Sequence, residues 1–168
     1  MKKWTEGWVH LSMRGALRNA GFDLIAGEFP GGSDHELYPL NVTDPALARD
    51  GSPDPRRHSS GELIPDIVAL KGRTLIVGEA KVHFDVPDRD KLMYLLTERK
   101  DHFKLAIEKF ATERRRKDLM PVDTLHIIPV LIFTDVRKSP APALGVSHLI
   151  LSSDGTVRCD GPLKGYFN

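Results

Sequence analysis

The stretch Gly61–His83, GELIPDIVALKGRTLIVGEAKVH, constrains the fold of this chain more than any other. Two runs rich in Val, Ile and Leu flank Lys71-Gly72-Arg73, and Gly72-Arg73 suits a two-residue loop with glycine first, so an antiparallel β-hairpin is expected. The turn sets the register. With Lys71 opposite Thr74, counting back along both strands brings Asp66 opposite Glu79. Residues facing each other in such a ladder have Cβ atoms about 5 Å apart, and two like charges there destabilise the pair unless something positive lies between them. Side chains alternate along a strand, which puts Val77, Glu79 and Lys81 on one face, with Lys81 about 7 Å beyond Glu79. Ile64, Val68, Leu75 and Val77 share the register of the charged residues, so the face is expected to be partly buried, where a charge needs a partner or a metal. Two carboxylates this close suit Mg²⁺, which takes oxygen ligands and is usually held by one or two carboxylates plus a substrate phosphate. The Lys81 ammonium would then stabilise an attacking hydroxide or a charged phosphorane. On a solvated face the same residues would amount to less: a Glu79–Lys81 ion pair worth under about 1 kcal/mol and a strand-edge aspartate after a proline.

The 168 residues, 40% of them hydrophobic, suffice for one domain over 1–168 with its own core. A formal net charge of +1 neither demands nor excludes nucleic acid, so a binding surface would come from local clusters. The single cysteine, Cys159, excludes an internal disulfide and a cysteine-rich zinc site. No apolar run approaches the length of a membrane span, and Met1–Glu6 lacks the apolar core of a signal peptide, so a cytoplasmic protein is expected. Asn41-Val42-Thr43 fits a glycosylation acceptor, but nothing else points to secretion.

Thr5–Ala20 is expected to be a helix, with Thr5 as N-cap, an apolar stripe of Val9, Met13, Ala16, Leu17 and Ala20, and Gly21 ending it. Glu6 lies on that stripe, where the helix dipole alone would favour a carboxylate. Phe22–Phe29 follows as a strand with Glu28 at its end, and Pro30-Gly31-Gly32-Ser33 reads as a turn in which Ser33 could also donate to a phosphate. Residues 34–60, with four prolines, read as a long surface loop with a helical turn near Ala46–Arg49. Arg56 and Arg57 lie just before the hairpin, where they would reach a nucleic-acid backbone without reading its sequence.

Beyond the hairpin, His83 and Asp85 continue the parity of Glu79 and Lys81. Asp88 is expected to cap one long helix running to about Lys117, with Leu92, Leu95, Leu96, Phe103, Ala106, Ile107 and Phe110 as its core stripe. Lys91 and Tyr94 fall in its first turns, and its end carries Arg114-Arg115-Arg116-Lys117, cations that suit the dipole and could contact phosphates. Leu125–Phe133 is continuous enough for a central strand, in which Pro129 is expected to impose a bulge. His148–Leu151 reads as a last short strand, then a turn and an irregular tail. No phosphate-binding glycine loop with lysine, nucleophile elbow or internal repeat is present.

Pro65-Asp66, twelve intervening residues (67–78), then Glu79-Ala80-Lys81, resembles the motif of the PD-(D/E)XK, or restriction-endonuclease-like, nucleases. The succession helix, three strands, helix, strand is similar to that family's αβββαβ core, an α/β fold with a mixed central sheet flanked by helices. Glu6, a helix ending at Gly21-Phe22, a strand and then Gly31-Gly32-Ser33 look like the archaeal Holliday-junction resolvases within it. The resemblance implies a metal site at Asp66, Glu79 and Ala80, with Lys81 positioning or activating water and Glu6 or Glu28 as the third acid. It implies Mg²⁺, with Mn²⁺ able to substitute, and DNA as substrate; Lys91 would lie near the metal, and Ser33, Arg56, Arg57, Lys91 and Arg115 are the candidate nucleic-acid contacts. The function expected is a metal-dependent DNA endonuclease, restriction-type or structure-specific, that hydrolyses a phosphodiester by water attack. Cutting both strands with one site per chain calls for a homodimer or a place in a larger nuclease assembly. The alternative is a non-catalytic nucleic-acid-binding or assembly subunit that keeps the fold.

Overall fold

A computed structural model describes residues 4–31, 34, 36–43 and 62–167. Strands β4 (Ile67–Lys71) and β5 (Thr74–Ala80) pair antiparallel with Lys71 opposite Thr74, turning at Gly72, whose left-handed φ of +61° favours glycine. The expected register holds as far as Ile67 opposite Gly78. There Asp66 leaves the strand at a bend, and its Oδ2 accepts the backbone N–H of Ala80 at 2.9 Å.

Six strands form one mixed sheet in the order β1-β4-β5-β6-β7-β8, where β1 is Asp23–Gly27, β6 His126–Thr134, β7 Ser147–Leu151 and β8 Val157–Asp160. Strands β5, β6 and β7 are mutually parallel and the other neighbours antiparallel. A separate two-stranded sheet joins β2 (Val42–Thr43) to β3 (Glu62–Leu63). Helix α1 (Glu6–Asn19) covers one face of the large sheet, where Val9, Met13 and Leu17 pack on Ile67, Ala69, Ile76, Val130 and Ile132. Helices α2 (Val86–Leu96) and α3 (Lys100–Glu113) cover the other, burying Leu92, Leu95, Phe103 and Ile107 against Val68, Leu75, Val77, Leu131 and Phe133. Each such side chain contributes roughly 1.5–3 kcal/mol on burial, so the sheet is held from both faces. Gly78 is packed tightly between the strands: an added Cβ would lie 2.8 Å from Ile67 Cγ2 and 2.8 Å from Ile132 Cδ1. Gly78→Ala is therefore expected to cost about 1–3 kcal/mol, read as a lower midpoint in urea unfolding.

Several expectations need correcting. The long helix is two helices. A single one to Lys117 would have to bury some of residues 97–102, Thr-Glu-Arg-Lys-Asp-His, all polar. The break between α2 and α3 lets Leu92 and Leu95 pack independently of Phe103 and Ile107, and the Thr97 hydroxyl donates back to the Met93 carbonyl at 2.7 Å. The cap of α2 is Asp85, which accepts the Asp88 N–H at 3.3 Å, and Pro87 in the first turn is the signal for that placement. Pro129 makes no bulge, since β5 and β6 stay in register through Val77–Pro129. Residues of even number in β6 point their backbone groups at β5, as the His126 N–H and Ile132 carbonyl do, so Pro129 faces the other side. There β7 pairs only from Val130 onward, and no ladder bond is lost. The bulge lies in β1, between Leu24 and Ala26. The tail is not irregular: it adds β8, and Tyr166 and Phe167 pack on Phe22. Within the expected surface loop, Leu40 and Val42 are buried in the core under α3; the turn foreseen at 46–49 lies outside the described residues. Among the described residues no helix is long and apolar enough to cross a membrane.

Candidate active site

Glu79 sits on the α2 side of β5, 5% exposed, one residue before the strand ends. The carboxyls of Asp66 and Glu79 lie within hydrogen-bonding reach of each other, so between them they hold a proton or need a cation. Burial pushes the Glu79 pKa well above the usual carboxylate range, and the Asp66 charge pushes it further, while Lys91 pulls it back. Lys91 reaches in from α2 with its Nζ 2.8 Å from Glu79 Oε1. That contact is close but poorly directed for a hydrogen bond, leaving the buried Oε1 charge-compensated without an aligned donor among the described residues. The amine beside Glu79 is thus contributed by the helix.

Lys81 lies just past the strand, about half exposed, and turns to the first turn of α2, with its Nζ 3.4 Å from Asp85 Oδ2 and 3.6 Å from Asp88 Oδ2. Burial works to lower its pKa, but Asp88 and Asp85, with Glu6 further off, outweigh it and keep the ammonium charged. A lysine held in that state supplies charge and does not take up protons. Burial raises the Asp88 pKa against the pull of Lys81 and Lys91.

Helix α1 brings a polar flank to the other side of Asp66. Glu6, His10 and Arg14 recur every four residues and so align along one side of the helix. His10 is buried with Nε2 3.8 Å from Asp66 Oδ2 and a buried Nδ1 that has no partner among the described residues. Burial lowers its pKa, opposed by Asp66 and Glu6, which favours the neutral imidazole. Arg14, also buried, pairs through both terminal nitrogens with Asp34, whose Oδ1 additionally accepts the N–H groups of Glu36 and Leu37 at 2.9 and 3.0 Å. Burial alone would raise the Asp34 pKa, but Arg14 and the two N–H groups bring it down to about 2. Asp34→Asn is expected to destabilise the protein by about 3 kcal/mol at neutral pH, as expected for breaking a buried pair. A carboxylate with a depressed folded-state pKa stabilises above its unfolded value and loses that contribution on protonation, so the deficit should shrink between pH of about 4 and about 2. Urea unfolding of both proteins across that range measures it.

The other expected residues fall around this centre or away from it. Glu6, exposed in the first turn of α1, lines an open cleft with Lys81, His83 and Asp85. Glu28 is the residue after β1, and its N–H donates to the Asp66 carbonyl at 3.1 Å, so both candidates for the third acid flank Asp66 or Lys81. Ala80 contributes its N–H to Asp66. Arg115 closes α3 with a left-handed φ of +55°, next to Arg116, which pairs with Asp23. Asp23 pairs with Leu70, whereas Gly27 pairs with Ile67, so this basic run stands toward the hairpin-turn end of the sheet, away from Asp66 and Glu79. Ser33, Arg56 and Arg57 lie outside the described residues. His10 and Arg14 were not singled out from sequence, though their spacing from Glu6 carried the signal.

Among the described residues no three His, Cys, Asp or Glu side chains form a ready-made metal cage. Mg²⁺ requires none, because it keeps several waters and takes one or two carboxylates with substrate phosphates. Two facing carboxyls, one with a buried oxygen lacking an aligned donor, are a donor set that fits it. No family model, curated protein or solved structure matches the chain.

Proposed function

We propose that the chain is a Mg²⁺-dependent endonuclease that hydrolyses DNA phosphodiesters by direct attack of water, with Mn²⁺ able to replace Mg²⁺. The observation that carries this reading is that the Asp66 carboxyl, at the bend before β4, faces the Glu79 carboxyl on β5, with the Lys91 ammonium against Glu79 and Lys81 held nearby at the first turn of α2. The order α1, β1, β4, β5, helices, β6 supports a restriction-endonuclease-like core. Asp66 and Glu79 would hold the ion, which when bound would polarise a phosphodiester and acidify water. Lys81, kept charged by its acidic neighbours, stabilises negative charge developing on the phosphate and does not act as the base. Lys91 holds the Glu79 side chain in place, and the neutral His10 excludes water behind Asp66. Glu6 or Glu28 is the third acid, and DNA is preferred to RNA on the family resemblance. Cleavage of both strands calls for two chains, as a homodimer or within a larger nuclease assembly.

One feature favours a second reading, a binding or assembly subunit without activity: the Lys91 ammonium already compensates Glu79 as an internal cation would. Nicking of supercoiled plasmid, and of branched and single-stranded DNA, with Mg²⁺, with Mn²⁺ or with chelator separates the two. The nuclease reading expects cleavage that needs the ion; no cleavage of any substrate with either ion would leave the binding reading.

A further inference from the structure

The parallel strands β5 and β6 end side by side at Ala80 and Thr134, and an open cleft of about 460 Å³ lies beyond them. In open sheets, ligands bind outside the carboxyl ends of parallel strands. The loop after β5 contributes Lys81, His83, Phe84 and Asp85 to this cleft, α1 contributes Glu6, and the loop after β6 contributes Arg137. The two loops are tied together: the Val82 carbonyl accepts both the N–H and the hydroxyl of Thr134, at 3.1 and 2.7 Å. The Asp135 N–H donates to Leu151 at 3.2 Å and the Val136 N–H to the Thr134 hydroxyl at 3.4 Å, so the backbone leading to Arg137 is anchored from both neighbouring strands.

Within the cleft, charge distinguishes Arg137 from Lys81, the other lysine or arginine that lines it among the described residues. Arg14, Arg18, Arg89, Arg116 and Arg158 each meet a carboxylate, and Lys81 across the cleft is committed to Asp85 and Asp88. Arg137 and the adjacent Lys138, both exposed, meet no carboxylate among the described residues. A planar guanidinium with five donors, held at the mouth of a cleft and without a counter-ion, is built to take a phosphate in two parallel hydrogen bonds.

We propose that Arg137, with Lys138 beside it, clamps the phosphate of the DNA strand next to the scissile bond. The proposal rests on the nuclease reading for the identity of the polyanion, and it adds that the substrate must extend beyond the bond that is cut. The clamp sets substrate affinity.

The test is binding of a fluorescently labelled DNA duplex, followed by anisotropy without divalent ions over a range of salt, for wild type, Arg137→Gln, Arg137→Lys and Arg158→Gln. Arg137→Gln is expected to bind about tenfold more weakly, with a salt slope smaller by about 0.9 because one phosphate is no longer neutralised. Arg137→Lys should keep the slope, and Arg158→Gln, which removes an equal charge elsewhere, should match wild type. The proposal is overturned if Arg137→Gln binds like wild type, if Arg158→Gln weakens binding equally, or if wild type does not bind DNA. Binding that depends on Arg137 in a protein that cuts nothing would retain the clamp and remove the nuclease reading; cleavage with Arg137-independent binding would do the reverse.

Discussion

Asparagine at position 66 is expected to slow plasmid cleavage by at least about 10³-fold while leaving the fold intact. The substitution is isosteric, and the side-chain carbonyl can still accept the Ala80 N–H that Asp66 accepts at 2.9 Å. What it removes is the negative charge that would draw a cation toward Glu79. Loss of an ion that supplies several kcal/mol of transition-state stabilisation corresponds to about a thousandfold, since each 1.36 kcal/mol is a factor of ten. Glu79→Gln should match it. The two losses should not add, because either removes the same ion. Stability separates this outcome from a structural role. The buried Glu79 carboxyl facing the carboxyl of Asp66 strains the metal-free protein, so either variant should melt at the wild-type temperature or slightly above. A variant retaining more than a tenth of the wild-type rate would show that the acids have been assigned wrongly.

The second large effect is on metal affinity as a function of pH. Burial and the Asp66 charge raise the Glu79 pKa, so the proton and Mg²⁺ compete for the same oxygens. Affinity should therefore fall as pH is lowered, by up to about tenfold per unit below the raised pKa, and level off above it. The same sign governs folding. A carboxyl whose folded-state pKa is raised favours the fold while protonated, and that advantage is lost as pH rises through the folded value, so Glu79→Gln should stabilise the metal-free protein more at pH 8 than at pH 5. Lys91→Met removes the ammonium that opposes these effects and should move the pH dependence upward. Titration calorimetry with Mg²⁺, in two buffers of different ionisation heat, reads the proton released on binding. If release is absent in wild type, or persists unchanged in Glu79→Gln, the ion is not bound at this carboxyl.

The hairpin was readable because period-two alternation and a glycine-first turn leave one register, and Glu79 followed from it. Helix α1 was readable for the same kind of reason: a threonine cap, an apolar stripe and a terminal glycine agree with one another. The family resemblance puts Lys91 near the site, but its approach to Glu79 depends on how α2 packs over the sheet, which no local pattern encodes. The break after Leu96 is a tertiary decision of the same sort, as two separate stretches of core compete to fix one helix. His10 escaped because a histidine spaced four residues from Glu6 and Arg14 reads as part of an ordinary polar helix face until a carboxylate distant in sequence is brought beside it. Strand β8 has only four residues, and its pairing with β7 supplies the order that its composition does not announce.

Pro129 has a further effect through the direction its backbone faces. Were β7 to slide one position along β6, toward the strand's beginning, it would meet a residue with no hydrogen to donate, and the shifted arrangement would forfeit a bond that the native one keeps. The slide would also turn Leu149 and Leu151 out of the hydrophobic interior beneath α1. The imino acid thus behaves as a ratchet tooth: costless in the correct alignment, penalising in the neighbouring one, it keeps the outer half of the sheet from settling a step out of place.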